Sequence, residues 1–175
     1  MPLSFLPSVD PVVISALLLI FLFSGIIKGF LGIGLPTAAM AFLTLVMEPT
    51  EAISLLTIPI IATNFFQFIR SSERVQTAKK YKYFALAIMV SIFITAWNIT
   101  AFPTGFLTVV IGFAMIIFSA NLLFGFSLPI GPGLSWQIGV GVLSGFLGGL
   151  SSIWSPPVAM YLMARSTPKE QFIAA

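Results

Sequence analysis

The longest uncharged stretch of the sequence runs from Tyr83 to Ala164 and begins YFALAIMVSIFITAW (residues 83–97). None of its 82 residues is Asp, Glu, Lys or Arg. A membrane-spanning helix needs about 20 predominantly apolar residues, so this stretch alone can hold three. The whole chain of 175 residues is 58% hydrophobic and 7% charged, whereas soluble domains are roughly 25% charged. We therefore predict an all-α integral membrane protein.

The residue types that are missing exclude several chemistries. The chain has no Cys and no His, which rules out disulfides, thiol nucleophiles, haem or zinc ligation and a Ser-His-Asp triad. We expect no cofactor and no metal. We also expect that the protein is not an enzyme, because no acid–base pair lies at membrane depth. The net charge of +3 comes mostly from one loop, so it reflects membrane topology. We expect the lipid bilayer as a partner and no binding of nucleic acid.

Two breaks interrupt the apolar segments. The first segment, Pro11–Leu31, breaks at residues 32–36, and the next, Pro36–Met47, measures roughly 18 Å and is too short to cross a hydrocarbon core of about 30 Å. A second break at residues 151–156 precedes a short helix, Pro156–Ala164. The remaining predicted segments are Thr50–Phe68 with a kink at Pro59, Tyr83–Ile99, Gly105–Phe124 and Ser135–Leu150.

The two breaks lie in similar sequences. Residues 25–33 (GIIKGFLGI) align with residues 141–149 (GVLSGFLGG) at an offset of 116. Pro36 matches Pro156 at an offset of 120, and Pro49 matches Pro168 at 119. These blocks predict an internal duplication of about 119 residues. Residues 1–134 form the first repeat, a hairpin plus three spans, and residues 135–175 begin a second, incomplete one. We expect an intact protein on the order of 250 residues.

The charged loop sets the expected topology. Residues 70–82 hold five of the eight cationic side chains, so we predict that this loop is cytoplasmic. When the spans are counted from this loop, the two broken segments enter the membrane from opposite faces. The predicted fold therefore consists of inverted repeats, each beginning with a broken re-entrant helical hairpin followed by spanning helices. In the alternative, the first segment spans alone and the second and third merge into one kinked span.

Two short helices that begin deep in the membrane would attract an anion. Their starts, at Pro36 and Pro156, carry unpaired N–H groups and a partial positive charge. Glycines near these starts let the backbone approach a ligand, and hydroxyls add donors. The predicted substrate-binding residues of these two kinds are Gly32, Gly34, Gly148, Gly149, Thr37, Ser151, Ser152 and Ser155.

Three further side chains are candidates for the same site. Lys28 is the only charge in the first segment, and we predict that it is the counter-ion of the substrate; snorkelling of its stem is the alternative. Asn64 either lines the cavity or hydrogen-bonds a neighbouring helix. Trp154 forms a ligand wall or gate, or contributes only packing.

The motif Gly25-xxx-Gly29-Phe-Leu-Gly-Ile-Gly-Leu-Pro, repeated as Gly141-xxx-Gly145-Phe-Leu-Gly-Gly before a Ser/Pro-rich break, resembles the sulfite exporter TauE/SafE family. This family of duplicated permeases is also called the toluene-sulfonate uptake group. The resemblance implies a secondary transporter in a bacterial or archaeal inner membrane. It also implies a small sulfur-containing anion, such as sulfite, sulfoacetate or a sulfonate, as substrate. An anion channel and a non-transporting assembly subunit are the alternatives. The substrate, transport direction, coupling ion and oligomeric state stay open.

Overall fold

The computed structural model describes residues 11–31, 35–125, 131 and 133–174. Apart from a 3-10 turn at Ile99–Ala101, the regular structure of these residues is α-helical, and they contain no strand. Gly32 and Gly34 lie outside the described residues. In chain order the helices are α1 (Pro11–Leu31), α2 (Leu35–Leu43), α3 (Pro49–Arg70), α4 (Arg74–Lys80), α5 (Lys82–Trp97), α6 (Thr104–Phe124), α7 (Leu134–Ser151), α8 (Ser155–Ala164) and α9 (Lys169–Ala174).

Four helices of the described part are long and apolar enough to cross a membrane, namely α1, α3, α6 and α7. A fifth span is formed if α4 and α5, which are bent by 74° at their junction, are taken together. The prediction of an all-α protein with several membrane-spanning helices is therefore confirmed. Pro59 lies inside α3, which runs without interruption from Pro49 to Arg70.

Two predicted boundaries were wrong. The short helix expected over Pro36–Met47 ends at Leu43 as α2, and a turn follows in which the Val46 N–H donates to the Leu43 carbonyl at 3.0 Å. The charged loop expected at residues 70–82 is largely helix α4. Its Arg, Gln, Ala and Lys residues are good helix formers, and their propensity outweighs the repulsion among the charges.

The nine-residue helix α2 lies inside the protein. Ala39, Met40 and Leu43 are fully buried and belong to one hydrophobic cluster with side chains of α3 and α6. Ile153, from the second break, is fully buried in the same cluster. The second break therefore packs in the same core as α2, the helix that follows the first break.

Helix α7 packs on α5 through a face of glycines. A Cβ on Gly145 would lie 2.5 Å from the Ile88 carbonyl oxygen and 2.6 Å from the Ser91 Cβ. Gly141 and Gly149, one turn to either side, also face α5: a Cβ there would lie 2.9 Å from the Ala87 Cβ and 2.6 Å from the Thr95 Cβ. Small residues at four-residue spacing allow two membrane helices to approach in this way. This interface is the most extensive helix pair of the described chain.

Aromatic side chains hold α8 against α5. Tyr161 is fully buried, and its ring centroid lies 4.8 Å from that of Phe84 and 6.3 Å from that of Tyr81. The Tyr81 hydroxyl also shares a hydrogen bond of 3.0 Å with the Thr167 hydroxyl. These contacts fix helix α8 relative to α5. Because α7 and α8 also pack on each other, the second break between them is held in place as well.

The glycine face predicts unequal effects of two matched substitutions in α7. We expect Gly145→Ala to lower stability by about 1–3 kcal/mol, because the added methyl forces α5 away. Gly139→Ala is the control, since a Cβ there meets no atom within 4 Å. Thermal unfolding in detergent measures both variants. Equal melting temperatures would contradict the described α5–α7 interface.

Candidate functional site

The first break is marked by Lys28, near the end of α1. Its side chain is half-buried, and its ammonium donates to the Thr63 hydroxyl at 3.0 Å and to the Asn64 side-chain oxygen of α3. The Thr63 hydroxyl in turn donates to the Pro59 carbonyl at 2.7 Å. Both acceptors are neutral and take two of the three ammonium donors. The positive charge is therefore oriented by α3, and neither acceptor neutralises it.

Two buried hydroxyls in the first two helices have no hydrogen-bond partner among the described residues. Ser24, one turn before Lys28 on the same face of α1, is fully buried, and Thr37, near the start of α2, is 8% exposed. Leaving a buried polar group unpaired costs about 1–3 kcal/mol. Three other buried polar groups of the described residues, on Thr77, Gln137 and Arg165, are likewise without a partner, so these two hydroxyls are candidate donors only because of their position in α1 and α2.

The start of α2 adds backbone donors to the same region. Pro36 is the second residue of this helix and is buried. The first N–H groups of a helix have no intrahelical acceptor and carry part of its positive dipole. Because α1 and α2 pack on each other, the beginning of α2 belongs to the same hairpin as Lys28 and Ser24.

Several polar groups of the second break are hydrogen-bonded within the protein. Ser152 is left-handed, with a φ of 57°, and its N–H donates to the Gly148 carbonyl at 2.8 Å. The Ser151 hydroxyl donates to the Leu147 carbonyl at 2.6 Å and accepts from the Ile153 N–H at 3.1 Å. The Ser151 hydroxyl and the Ser152 N–H therefore both donate to backbone carbonyls of the protein.

The glycines of the second break contact protein. A Cβ on Gly148 would lie 2.7 Å from the Trp154 Cβ, and one on Gly149 would lie 2.6 Å from the Thr95 Cβ. Ser144, which aligns with Lys28, donates its hydroxyl to the Trp154 carbonyl at 2.5 Å. The side chain of Trp154 packs beside the cluster around Tyr161. Of the remaining predicted residues, Ser155 and Pro156 are buried at the start of α8.

The structure brings Lys28 and Asn64 together through a hydrogen bond between α1 and α3, the alternative in which Asn64 bonds a neighbouring helix, and their contact with a substrate stays a prediction. It adds Thr63 and Ser24, which the sequence analysis missed. Ser24 lies four residues before Lys28, and Thr63 is the neighbour of Asn64. Helical spacing from Lys28 could have found Ser24, but no local signal distinguishes Thr63 from the other hydroxyls of α3.

An open groove of about 490 Å³ between α5 and α7 is not a candidate anion site. No charged residue lines it, and the hydroxyls of Ser91 and Thr95 donate to the carbonyls of Val142 and Ser91. Within the part of the chain that the structure describes, no group of three or more His, Cys, Asp or Glu side chains is arranged to hold a metal ion.

The contact between Lys28 and Asn64 predicts a measurable coupling. We expect Asn64→Leu alone to destabilise the protein more than Asn64→Leu combined with Lys28→Met, because the single variant leaves a half-buried ammonium short of an acceptor. A double-mutant cycle of unfolding free energies should give a coupling of about 0.6 kcal/mol or more, the average for side-chain hydrogen bonds in membranes. Additive effects would contradict the contact.

Comparison with known proteins identifies a family. The family model described as Sulfite exporter TauE/SafE matches residues 17–175 and so includes both helix breaks. No curated protein and no solved structure matches the chain. Since the family match covers most of the sequence, from within α1 to the last residue, the chain belongs to the sulfite exporter TauE/SafE family of membrane transporters.

Proposed function

We propose that the protein is a secondary transporter of small sulfur-containing anions and that the first helix break is its main anion site. One observation carries the proposal: an ammonium group, held by two neutral acceptors, lies in the same hairpin as two buried hydroxyls that have no partner among the residues the structure describes. Intramembrane ionisable residues are costly and are by default functional. A bound anion would offset the cost of the Lys28 charge.

The donors of the first break suit an oxyanion. Lys28 contributes a cationic donor, Ser24 and Thr37 contribute hydroxyls, and the start of α2 contributes backbone N–H groups. Hydrogen bonds to ionised acceptors are roughly twice as strong as neutral ones. A sulfite or sulfonate group has three oxygens to accept them, whereas a carboxylate has two. This difference favours sulfur oxyanions over carboxylates.

The second break would act mainly as a support. Its Ser144 and Ser151 hydroxyls and its glycines are engaged with the protein itself, so we assign it fewer ligand contacts than the sequence analysis did. Its Ile153 packs in the core cluster of α2. We therefore propose that the second break contributes the buried start of α8, at Ser155 and Pro156, and fixes the position of α2.

The pairs α1–α2 and α7–α8 support the proposed inverted repeat. Each consists of a long apolar helix, a break and a short helix packed back on the long one. We propose that both are re-entrant hairpins entering from opposite faces, with α4 on the cytoplasmic side. The concentration of Lys and Arg in and next to α4 favours that side.

Anion binding to the intact protein in detergent tests the proposed substrate class. We expect sulfite or methanesulfonate to raise the melting temperature more than acetate does. Lys28→Met should weaken the binding about tenfold or more, because a hydrogen bond to a charged group contributes about 1.5–3 kcal/mol.

The matched control is Lys82→Met, at an exposed lysine at the start of α5. It should bind as the unmodified protein does. Absence of a shift with every anion would refute the proposed function. An equal loss in both lysine variants would refute the assignment of Lys28, because general charge attraction would explain the binding.

Labelling of single cysteines tests the proposed topology. The chain has no Cys, so Leu45→Cys, in the turn after α2, and Gln76→Cys, in α4, each give one reactive thiol. Both side chains are exposed. An impermeant maleimide added to intact cells should label position 45, and position 76 only after permeabilisation. Labelling of both from one side, or no labelling at position 45, would contradict the hairpin arrangement.

A further inference from the structure

Helix α4 lies between two apolar helices. It follows α3, which is a candidate membrane span, and precedes α5, which contains no charged residue after Lys82. Helices α4 and α5 are bent by 74° at their junction. A seven-residue helix at this angle to a membrane segment runs nearly parallel to the bilayer surface. We therefore place α4 at the level of the lipid headgroups.

One side of α4 packs against the protein. Thr77 on this side is buried. The Gln171 side chain of α9 donates to the Glu73 carboxylate at 3.2 Å and accepts from the Lys80 ammonium at 3.0 Å. Glu73 is the only acidic residue of positions 70–82. The contact with α9 therefore engages the one carboxylate of this basic segment and fixes which side of α4 is left open.

The open side of α4, here called the outward face, consists of the exposed residues Arg74, Val75, Ala78 and Lys79. Val75 is apolar and 60% exposed. The Arg74 guanidinium donates to the Ile69 carbonyl at 2.6 Å, a neutral acceptor that leaves its charge uncompensated. Basic side chains beside an exposed apolar one, directly next to a membrane segment, are typical of surfaces that bind anionic lipid.

We propose that the outward face of α4 binds the headgroup of an anionic phospholipid. Arg74 and Lys79 complement the lipid phosphate in charge, and Val75 contacts the apolar layer beneath the headgroups. A soluble phosphate would gain the charge attraction without the apolar contact, so the membrane lipid is the favoured occupant. The inference goes beyond substrate transport, and its test involves neither Lys28 nor the two helix breaks.

Fluorescence quenching at a single cysteine tests the proposal in the full chain. The chain has no Cys, so Ala78→Cys carries one fluorophore in the outward face. The protein is reconstituted in phosphatidylcholine vesicles with a small fraction of a lipid that bears a spin-label quencher high on its acyl chain. This quencher lipid is either phosphatidylglycerol or phosphatidylcholine. We expect phosphatidylglycerol to quench with an apparent affinity about twentyfold higher, because each of two cations contributes about fivefold.

Lys79→Gln should lower this preference about fivefold, and Lys79→Arg should retain it. The matched control combines Lys79→Gln with Thr100→Lys, at an exposed residue beyond the other end of α5, and should stay weakened although the net charge is restored.

Equal quenching by both lipids would overturn the proposal, and so would recovery of the preference with Thr100→Lys, because net charge would then explain it. Loss of the preference when glycerol phosphate is added at the concentration of the lipid would also overturn it, because the site would then bind a soluble phosphate.

Discussion

The bilayer interior supplies no water to a peptide group, so a helix can break at membrane depth only where the protein, a water-filled cavity or a ligand completes its hydrogen bonds. The second break meets this condition internally, through the Ser151 hydroxyl, the Ser152 N–H and the Ser144 hydroxyl. In the first hairpin, the hydroxyls of Ser24 and Thr37 are without partners among the described residues. This difference is the basis of the proposal that the first hairpin binds the substrate.

Packing connects the two breaks. The glycines of α7 let it approach α5, and the aromatic contacts of Tyr161 hold α8 on the same helix. Ile153 then extends from the break between them into the cluster around α2. The two similar segments thus differ in their contacts. At the aligned positions, Lys28 of the first segment carries a charge held by α3, whereas Ser144 of the second donates its hydroxyl to the backbone of its own break.

Length and apolarity predicted the helical class and the bounds of α1, because these properties define a span. The Ser and Pro residues at 151–156 predicted the second break, whereas Gly32 and Gly34 of the first lie outside the described residues. It failed at α4, where the density of charge suggested a loop although the residues favour a helix. The glycines at 148 and 149 were assigned to ligand contact, yet their spacing from Gly141 and Gly145 equally indicates helix packing. Thr63 could not be predicted, because its role depends on how α3 is rotated against α1.

The central claim is that the first helix break binds the anion. The most direct measurement is a structure of the intact protein with selenite, the selenium analogue of sulfite, located by its anomalous scattering. The account predicts one selenium peak beside Lys28, with selenite oxygens within hydrogen-bonding distance, about 3 Å, of its ammonium and of the Thr37 hydroxyl. A selenite site at the second break alone, or elsewhere in the protein, would contradict it.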